Sequence, residues 1–581
     1  MRRTIETEVI VVGSGPAGSA TALLLSTYGI ANVMLTKYRW TANTPRAHIT
    51  NQGTMEILRE LGLEEDVVRV ATPWDDMGDT VFCQSLAGEE LGRLRTWGTH
   101  PRRRADYLLA SPSEMCDIPQ TLLEPILVSA AAARGTRLRL DTEYLSLTQD
   151  DDGVTATVLD RLSGETYDIR APYLVGADGG NSKVAEDVGL PLEGQMDIAG
   201  SMNIVFRADL TRFVAHRPSV LYWILDPELI GGIGMGVIRM VRRWDEWLVI
   251  WGYDISRPPP VVDDAEATRI AHKLIGDDTV PITIESTSLW GVNKMYATRY
   301  SAGRVFCMGD ACHRHPPSNG LGSNTSIQDA HNLAWKLALV LRGTASPALL
   351  ESYDAERVPL GRQIVERANQ SIGEFGPIFG SLGLGEGGSI AHLQANMDAR
   401  KLATPAAAAQ RAALRSAIAF KDYEFNAHGV ELNQRYRSAA IVGDGTPEPP
   451  FEGDPELTYS PTTWPGARLP HCWVERHGAR LSTKDLVGRG RFTLLTGIGG
   501  DGWGEAAATA ATALGADIHA VAIGPGCEVA DTYGDWARTS AVDDGGCLLV
   551  RPDGYVGWRC ASLPDDPAGA LDTVMRAILG R

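Results

Sequence analysis

A short stretch of the chain, residues 309–329, concentrates side chains that could do chemistry: GDACHRHPPSNGLGSNTSIQD. Cysteine and histidine are the ligands that zinc prefers in proteins. The stretch and the residues just before it supply four of them, namely Cys307, Cys312, His313 and His315. These four residues raise the question of whether the stretch is a metal site or serves another purpose.

The residues that follow this stretch indicate a helix. In IQDAHNLAWKLALVLRG, from Ile327 to Gly343, apolar residues recur at helical spacing. Asp329 would lie in the first turn and Gly343 just past the end, as helix termini prefer. The glycine-rich loop is therefore expected at a helix N-terminus.

A second pattern lies near the start of the chain, where GSGPAG follows the apolar run EVIVV and precedes a helical segment. Gly13, Gly15 and Gly18 complete G-x-G-x-x-G, and the second apolar run NVML follows. The first glycine permits a tight turn, the second lets the backbone approach a pyrophosphate, and the third lets the helix pack on the strand. The ligand could be NAD or FAD, although Thr36 stands near where an acidic residue usually binds the ribose. The segment is predicted to be a dinucleotide-binding βαβ unit.

Length and composition restrict the class of protein. A chain of 581 residues, 44% hydrophobic and 22% charged, is expected to form two or three domains. The net charge of −18, without a run of lysine and arginine, argues against nucleic-acid binding. Eight scattered cysteines favour reduced thiols and a cytoplasmic protein. Pro16 and acidic residues interrupt the apolar N-terminus, so neither a targeting signal nor a membrane span is predicted.

Local patterns divide the chain into regions. Residues 153–171 resemble a hairpin, and residues 200–255 are rich in strand-forming aromatic residues that could wall a cavity or pack in a core. Residues 442–470 are rich in proline, glycine and acidic residues, which predicts a linker. The remainder alternates apolar runs with an alanine-rich helical stretch, which predicts a small separate α/β domain.

Three motifs together resemble a known family: GSGPAG, GADGGNS at 176–182, and GRVFCMGDACHRHPPSNGLGSNTSIQDAHNLAWKLA at 303–338. In this order they are similar to the single-component FAD-dependent aromatic hydroxylases. Within that family, TPRAHITNQGTMEILRELGLE and ASPSEMCDIPQTLLEPILV resemble the phenol monooxygenases that act on chlorophenols and 2-hydroxybiphenyl. The resemblance implies an α/β protein with a Rossmann-like FAD-binding domain, a β-sheet substrate domain and a C-terminal thioredoxin-like domain.

The resemblance also implies domain boundaries. The FAD-binding domain would comprise 1–75, 105–190 and 290–400, the substrate domain 76–104 and 191–289, a helical segment with linker 401–465, and the thioredoxin-like domain 466–581. The last region lacks the Cys-x-x-Cys pair that dithiol exchange requires. It is therefore expected to stabilise the fold or an oligomer interface.

FAD is the cofactor that the resemblance implies. Backbone amides at Gly322, Ser323 and Asn324 would stabilise negative charge on the reduced flavin ring. The other expected FAD-binding residues are Gly13, Gly15, Gly18, Thr36, Arg46, Gln120, Asp178, Arg239 and Asp310. This assignment disfavours zinc, whose ligands would crowd the flavin, so no metal is predicted.

The implied reaction is ortho-hydroxylation of a substituted phenol to a catechol. NADH or NADPH would reduce FAD, and molecular oxygen would then form a flavin hydroperoxide that attacks the ring. A phenol has an ordinary pKa of about 10, so a base is needed at neutral pH, and Asp117 and His48 match the family's substrate-site residues. Without the family, Asp117 would be interpreted as a helix cap and His48 as a structural histidine. The expected pocket residues are Trp97, Trp223, Met235 and Pro317.

Two alternatives remain open. One is a hydroxylase of a larger polyketide or antibiotic phenol, which would need a wider cavity. The other is a non-hydroxylating NAD(P)H oxidase or FAD-binding interaction module, although Asp117 and the loop 320–322 are both retained. Asn181 stands where the family usually has arginine, which leaves the choice between NADH and NADPH undecided. The resemblance implies a homo-oligomer, and a dimer is expected.

Overall fold

The structure is a computed structural model that describes residues 3–229, 235–385 and 387–581. Within them the strands are β1 (Thr4–Glu6), β2 (Val9–Val12), β3 (Asn32–Leu35), β4 (Ile49–Thr50), β5 (Asp79–Cys83), β6 (Glu90–Arg95), β7 (Cys116–Asp117), β8 (Arg137–Arg139), β9 (Thr142–Gln149), β10 (Val154–Asp160), β11 (Thr166–Ala171), β12 (Tyr173–Gly176), β13 (Leu192–Arg207), β14 (Ser219–Ile224), β15 (Gly236–Arg242), β16 (Glu246–Tyr253), β17 (Thr283–Ala297), β18 (Ser301–Ala302), β19 (Val305–Cys307), β20 (His313–Arg314), β21 (Trp473–Arg476), β22 (Ala479–Ser482), β23 (Phe492–Thr496), β24 (Ile518–Ala522), β25 (Cys547–Val550) and β26 (Val556–Cys560). The helices are α1 (Pro16–Thr27), α2 (Gln52–Glu60), α3 (Glu64–Val70), α4 (Trp74–Met77), α5 (Pro101–Ala110), α6 (Gln120–Ala133), α7 (Lys183–Asp187), α8 (Thr211–Val214), α9 (Asp264–Ile275), α10 (Gly322–Leu341), α11 (Glu351–Gly373), α12 (Gly376–Ser381), α13 (Ile390–Ala399), α14 (Pro405–Phe420), α15 (Asp422–Phe425), α16 (His428–Leu432), α17 (Asp501–Leu514), α18 (Asp535–Thr539) and α19 (Pro567–Leu579).

A six-stranded sheet with the order β18-β19-β12-β2-β3-β8 forms the centre of the first domain. Its strands from β19 to β8 are parallel, and β2, β3 and β12 are buried along their whole length. Continuous apolar strands of this kind occur where both faces of a parallel sheet are covered. Here α1 lies against the sheet, and β9 and β11 of a four-stranded sheet approach β3 and β2. The predicted βαβ unit is present, and the hairpin predicted at 153–171 is β10 and β11.

The second domain is built on an eight-stranded sheet with the order β20-β17-β13-β16-β15-β14-β5-β6. It contains the aromatic-rich strands that the sequence predicts. Tyr222 and Trp247 are fully buried in its core, whereas Trp223, Trp244 and Trp251 are only partly buried. Some of these aromatic residues are therefore ordinary core residues, and Trp223 packs at the edge of the core.

The C-terminal region is a separate sheet with the order β24-β23-β25-β26, against which α17 lies, with α19 packed on α17. The predicted linker is not a flexible connection, because its backbone is hydrogen-bonded to this region. The N–H groups of Val442, Gly466 and Leu469 donate to the carbonyls of Gly557, Val556 and Gly554. Of the helices that the structure describes, none is long and apolar enough to cross a membrane.

A buried ionic cluster joins the C-terminal region to helices α10 and α11. Arg551 donates to Glu356 on α11 at 2.6 Å and also pairs with Asp553, while Lys336 on α10 lies 2.8 Å from Glu356. Arg551, Glu356 and Lys336 are completely buried. Removing one partner from such a cluster leaves a buried charge without compensation.

Replacing Arg551 by methionine is therefore expected to lower the free energy of unfolding by about 3–5 kcal/mol. Denaturant unfolding of the full chain measures this effect. Arg576→Met is the control, because Arg576 forms an exposed pair with Asp572 on α19, where little change is expected. Equal midpoints for the two variants would contradict a stabilising role for the cluster.

Candidate active site

The three glycines of the first motif have different roles in the loop before α1. Gly13 has φ +107°, and a Cβ there would lie 2.2 Å from the carbonyl oxygen of Ala177. A Cβ on Gly18 would lie 2.0 Å from the Gly13 carbonyl oxygen. A Cβ on Gly15 would meet only Glu124 Oε1, at 3.8 Å, among the atoms that the structure places. The first and third glycines are needed by the fold itself, and the second keeps open the space at the start of α1.

The ends of β3 and β12 carry two further expected FAD-binding residues. Thr36 is buried, and its hydroxyl accepts a bond from the Tyr38 N–H at 3.4 Å. The carboxylate of Asp178 accepts bonds from Ser182 Oγ and from the Val184 N–H, so it fixes the start of α7. The backbone of Asp178 lies beside Gly13, in the glycine-rich loop 13–18 at the start of α1, which we call the phosphate loop.

Residues 37–47, which we call the strap, run over the start of α6. The Gln120 N–H donates to the Arg46 carbonyl at 2.8 Å. The Gln120 side chain donates to Glu124 Oε1, and the Ala42 N–H donates to Glu124 Oε2 at 2.7 Å. The Arg46 side chain itself is exposed. Glu124 thus joins two segments expected at FAD, although it was not among the residues predicted from the sequence.

His48 and Asp117 are brought together by the two-stranded pairing of β4 with β7. Ile49 lies opposite Asp117 in this pairing, and the Ile118 N–H donates to the His48 carbonyl at 2.7 Å. His48 Nδ1 lies 3.4 Å from Asp117 Oδ1, and both side chains are buried. The main chain alone therefore fixes the two predicted catalytic residues next to each other.

Arg239 completes this group from the middle of β15 in the second domain. Its guanidinium donates to Asp117 Oδ2, and it too is buried. We expected Arg239 near the flavin and the other two residues at the substrate. The structure brings all three together at the boundary between the two domains.

The charges of this group follow from burial and from Arg239. Burial alone would raise the pKa of Asp117, but Arg239 and His48 outweigh burial and hold that pKa below its ordinary value. Burial lowers the pKa of His48 to about 4, and the charge of Arg239 acts in the same direction. His48 is therefore neutral at neutral pH. Its buried Nε2 has no hydrogen-bond partner among the residues that the structure describes, which leaves it available to a substrate.

The glycine-rich stretch forms the start of α10, but the predicted helix start near Ile327 is wrong. The helix begins at Gly322, so Asp329 lies in its middle rather than in its first turn. Local propensity misses this start because the first turn, GSNTS, contains glycine and small polar residues. The Asn324 side chain donates to the Ile49 carbonyl at 2.8 Å and accepts from the Asn51 N–H at 3.0 Å. Asn324 thereby ties the start of α10 to the segment that holds His48.

Asp329 holds the glycine-rich stretch in place from inside α10. It is completely buried, lies 2.8 Å from His313 Nε2 and 2.7 Å from Arg357 Nε, and accepts from the Gly309 N–H at 3.1 Å. His313 is thus hydrogen-bonded to Asp329 within the core. The neighbouring Asp310 has an exposed side chain, and Gly322 and Ser323 lie at the start of the helix.

The zinc interpretation of this stretch finds no support in the geometry. Cys307 and Cys312 are buried in the core, where burial raises the pKa of each thiol, and His315 Nδ1 bonds the Pro316 carbonyl. Over residues 3–229, 235–385 and 387–581, no group of three or more histidine, cysteine, aspartate or glutamate side chains could hold a metal.

Aromatic side chains from the region 374–425 lie against two of the predicted pocket residues. The ring of Trp223 lies 4.4 Å from that of Phe375, and the ring of Trp97 lies 5.4 Å from that of Phe425. Phe425 also lies 6.4 Å from Trp223, so it connects the two tryptophans. Neither Phe375 nor Phe425 lies in a motif, so no pattern in the chain predicts either residue at this place.

The other two predicted pocket residues differ in exposure. Met235 is partly buried and packs in the same apolar cluster as Trp223 and Phe375. Pro317 is exposed. Trp97 is almost fully buried within the core of the second domain.

FAD fits the two helix N-termini at this site. Neither α1 nor α10 has a side-chain cap from any described residue, and neither has an acidic residue in its first turn. Their first N–H groups are therefore suited to negative charge. The open space at Gly15 lets a pyrophosphate approach the N-terminus of α1. The N-terminus of α10 would in the same way stabilise negative charge on the reduced flavin ring.

Comparison with known proteins agrees with this fit. Residues 6–368 match the family described as "FAD binding domain", and residues 462–581 match "Aromatic-ring hydroxylase, C-terminal". The chain belongs to the FAD-dependent aromatic-ring hydroxylases. The resemblance stated from the motifs is thereby confirmed, as are FAD as the cofactor, oxygen and a reduced nicotinamide as co-substrates, and the α/β fold class.

Among its relatives is 2,4-dichlorophenol 6-monooxygenase from Delftia acidovorans, which is 57% identical over 576 residues, or 99% of this chain and 98% of that protein. Phenol 2-monooxygenase from Pseudomonas sp. is 53% identical and covers 98% of this chain and 92% of its own. The crystal structure of the flavin-dependent monooxygenase PieE with FAD and substrate superimposes with a TM-score of 0.94, at 45% identity and 99% coverage of both chains. The protein is thus similar to phenol-hydroxylating flavoproteins along its whole length.

Proposed function

We propose that this monooxygenase hydroxylates a substituted phenol, of the chlorophenol or 2-hydroxybiphenyl type, at the ortho position to give a catechol. The observation that carries the proposal is the buried group of His48, Asp117 and Arg239. The names of two relatives, a dichlorophenol and a phenol monooxygenase, support the same substrate class. When bound, FAD would supply the redox chemistry by which NADH or NADPH and O₂ are consumed, with one oxygen atom entering the ring and the other leaving as water.

The residues of this chain would activate the phenol. Loss of the hydroxyl proton places electron density on the ortho carbon, and His48 Nε2 is the free acceptor for that proton. The imidazolium so formed would lie between the Asp117 carboxylate and the phenolate, which both stabilise it. Asp117 is occupied on both oxygens, since Oδ2 accepts from Arg239 and Oδ1 faces His48 Nδ1, whereas His48 Nε2 has no partner among the described residues. We therefore assign the proton transfer to His48 and a positioning role to Asp117.

Aromatic rings would enclose the substrate. We propose that Trp223 and Trp97 line the pocket together with Phe375 and Phe425, with Met235 and Pro317 at its edges. Stacked and edge-on rings favour a flat aromatic ligand over an aliphatic one.

The proposal extends to the protein as a whole. We infer a cytoplasmic homodimer with the domain division 1–75, 105–190 and 290–400 for FAD, 76–104 and 191–289 for substrate, 401–465 as helices and linker, and 466–581 as a redox-inactive thioredoxin-like domain. The separate sheets and the lack of a Cys-x-x-Cys pair support this division. Sedimentation of the purified protein tests the dimer.

The first test is oxidation of NADH and of NADPH by the FAD-loaded protein with a panel of phenols, with products identified by mass spectrometry. We expect a chlorophenol or a phenylphenol to accelerate oxidation and to gain one oxygen atom, which comes from ¹⁸O₂. If no simple phenol accelerates oxidation, or if hydrogen peroxide is the sole product, the substrate assignment fails. Larger polycyclic phenols would then be the next candidates.

A further inference from the structure

We propose that Glu124 is a positioning residue for FAD: it clamps the strap and Gln120 against the phosphate loop, and its carboxyl carries a proton when FAD is bound. This inference depends on FAD binding and not on which phenol is hydroxylated.

The clamp consists of two hydrogen bonds to one carboxyl, which also lies near the loop that carries Gly15. Glu124 lies in the second turn of α6 and is only 2% exposed. Oε2 accepts from the Ala42 N–H of the strap at 2.7 Å, and Oε1 accepts from the Gln120 side chain. Oε1 also lies 3.8 Å from the position of a Cβ on Gly15, so the carboxyl borders the space for the pyrophosphate.

No cation balances this carboxyl. Glu124 forms no ion pair with any residue that the structure describes, it is the only charged residue of α6, and α1 has none. The strap carries Lys37, Arg39 and Arg46, but all three side chains are exposed.

The remaining charged groups nearby are already engaged. On α3, which also packs against α6, Glu64 pairs with Arg59 and Asp66 pairs with Arg69, while Glu65 is not in contact with Glu124. An ionised Glu124 would therefore add negative charge beside the pyrophosphate, with no cation among the described residues paired to its own carboxylate.

The protonation state follows from this arrangement. Burial raises the pKa of Glu124 even without a ligand, although the Ala42 N–H and Gln120 act in the opposite direction. A pyrophosphate beside it would raise the pKa further, because like charges disfavour the ionised form. FAD binding would then take up as much as one proton. Between the pKa of the free and of the FAD-bound protein, the Kd of FAD would rise with pH by as much as about tenfold per unit.

Two variants separate the charge from the clamp. Glu124→Gln keeps an oxygen for the Ala42 N–H and an amide for Gln120 but removes the charge, whereas Glu124→Ala removes the clamp. The Kd of FAD is measured with apoprotein by flavin fluorescence from about pH 5 to pH 8, without phenol or nicotinamide. Asp79→Asn is the control, because Asp79 also has a pKa raised by burial but lies at the start of β5 in the second domain's sheet.

We expect the Kd of the wild type and of Asp79→Asn to rise with pH. Glu124→Gln should show no such rise, and its Kd should equal that of the wild type at low pH. Glu124→Ala should bind FAD at least about tenfold more weakly at every pH.

A wild-type Kd that does not vary with pH, or a parallel rise in Glu124→Gln, would overturn the proposal that Glu124 is protonated when FAD is bound. Unchanged affinity in Glu124→Ala would overturn the clamp. If Glu124→Ala fails to fold, the pH dependence of the Kd of Glu124→Gln still tests whether Glu124 takes up a proton. Since no phenol is present, these outcomes are independent of the proposed hydroxylation.

Discussion

Replacement of His48 by alanine is expected to lower kcat/KM for the phenol by about 10²–10⁴, the usual contribution of a positioned general base. FAD binding should be preserved, because His48 lies at the domain boundary and the substitution keeps its main-chain carbonyl, which accepts from the Ile118 N–H. The expected defect is therefore uncoupling: NAD(P)H is still oxidised, but little catechol forms. Steady-state kinetics measures the fall in kcat/KM, and quantifying the catechol formed for each NAD(P)H oxidised measures the uncoupling.

Loss of a buried histidine must be separated from loss of a base. His471→Ala is the matched control, because His471 is also buried and its pKa is also lowered to about 4, but it bonds Ser482 in the C-terminal region. A phenol that is already ionised at the assay pH should restore part of the His48→Ala activity. Equal losses in the two variants, or no restoration by an acidic phenol, would contradict the role of His48.

The pH profile gives a second measure of the same assignment. Because burial and Arg239 lower the pKa of His48 from 6.5 to about 4, the imidazole stays neutral as pH falls toward that value. Activity that needs neutral His48 is present above pH 4 and is lost as pH falls through it. The acid limb of kcat/KM is therefore expected near pH 4, and a limb near 6.5 would mean that His48 is less buried than the structure shows.

Replacement of Gly15 by alanine is expected to weaken FAD binding at least about 100-fold, equivalent to about 2.7 kcal/mol. The added Cβ meets only Glu124 Oε1, at 3.8 Å, among the placed atoms, so the fold should accept it. The same Cβ would, however, occupy the space through which the backbone approaches the pyrophosphate. Flavin fluorescence titration measures the affinity, and thermal unfolding of the apoprotein measures the fold.

Two other glycines provide control variants for Gly15→Ala. Gly504→Ala in α17 should leave the FAD affinity unchanged and should slightly raise the stability, because no described atom lies within 4 Å of the added Cβ and a helix favours alanine over glycine. Gly13→Ala should lower the stability of the apoprotein as well, since its Cβ would clash with the Ala177 carbonyl at a φ of +107°. FAD affinity of Gly15→Ala equal to that of the wild type would show that the pyrophosphate does not bind at this loop.

The functional residues that only the structure reveals come from distant parts of the chain. Arg239 is 122 residues from Asp117, and their ion pair depends on how β15 of the second domain lies against β7. Phe375 and Phe425 contact Trp223 and Trp97 although neither belongs to a recognisable motif. Glu124 has the spacing of an ordinary helix residue, and its position beside Gly15 depends on the packing of α6 on α1.

The sequence by itself determined the βαβ unit, the hairpin, the cofactor and the family, because each depends on residues close together in the chain. The glycine loop is of this kind: the conformation of Gly13 and the close packing of Gly18 restrict the residue type at fixed spacing. The tertiary structure decided which side chain is the free base and what surrounds it. Burial and the pairing of Asp117 with Arg239 set the protonation of His48, and both depend on the packing of two domains that no local pattern encodes.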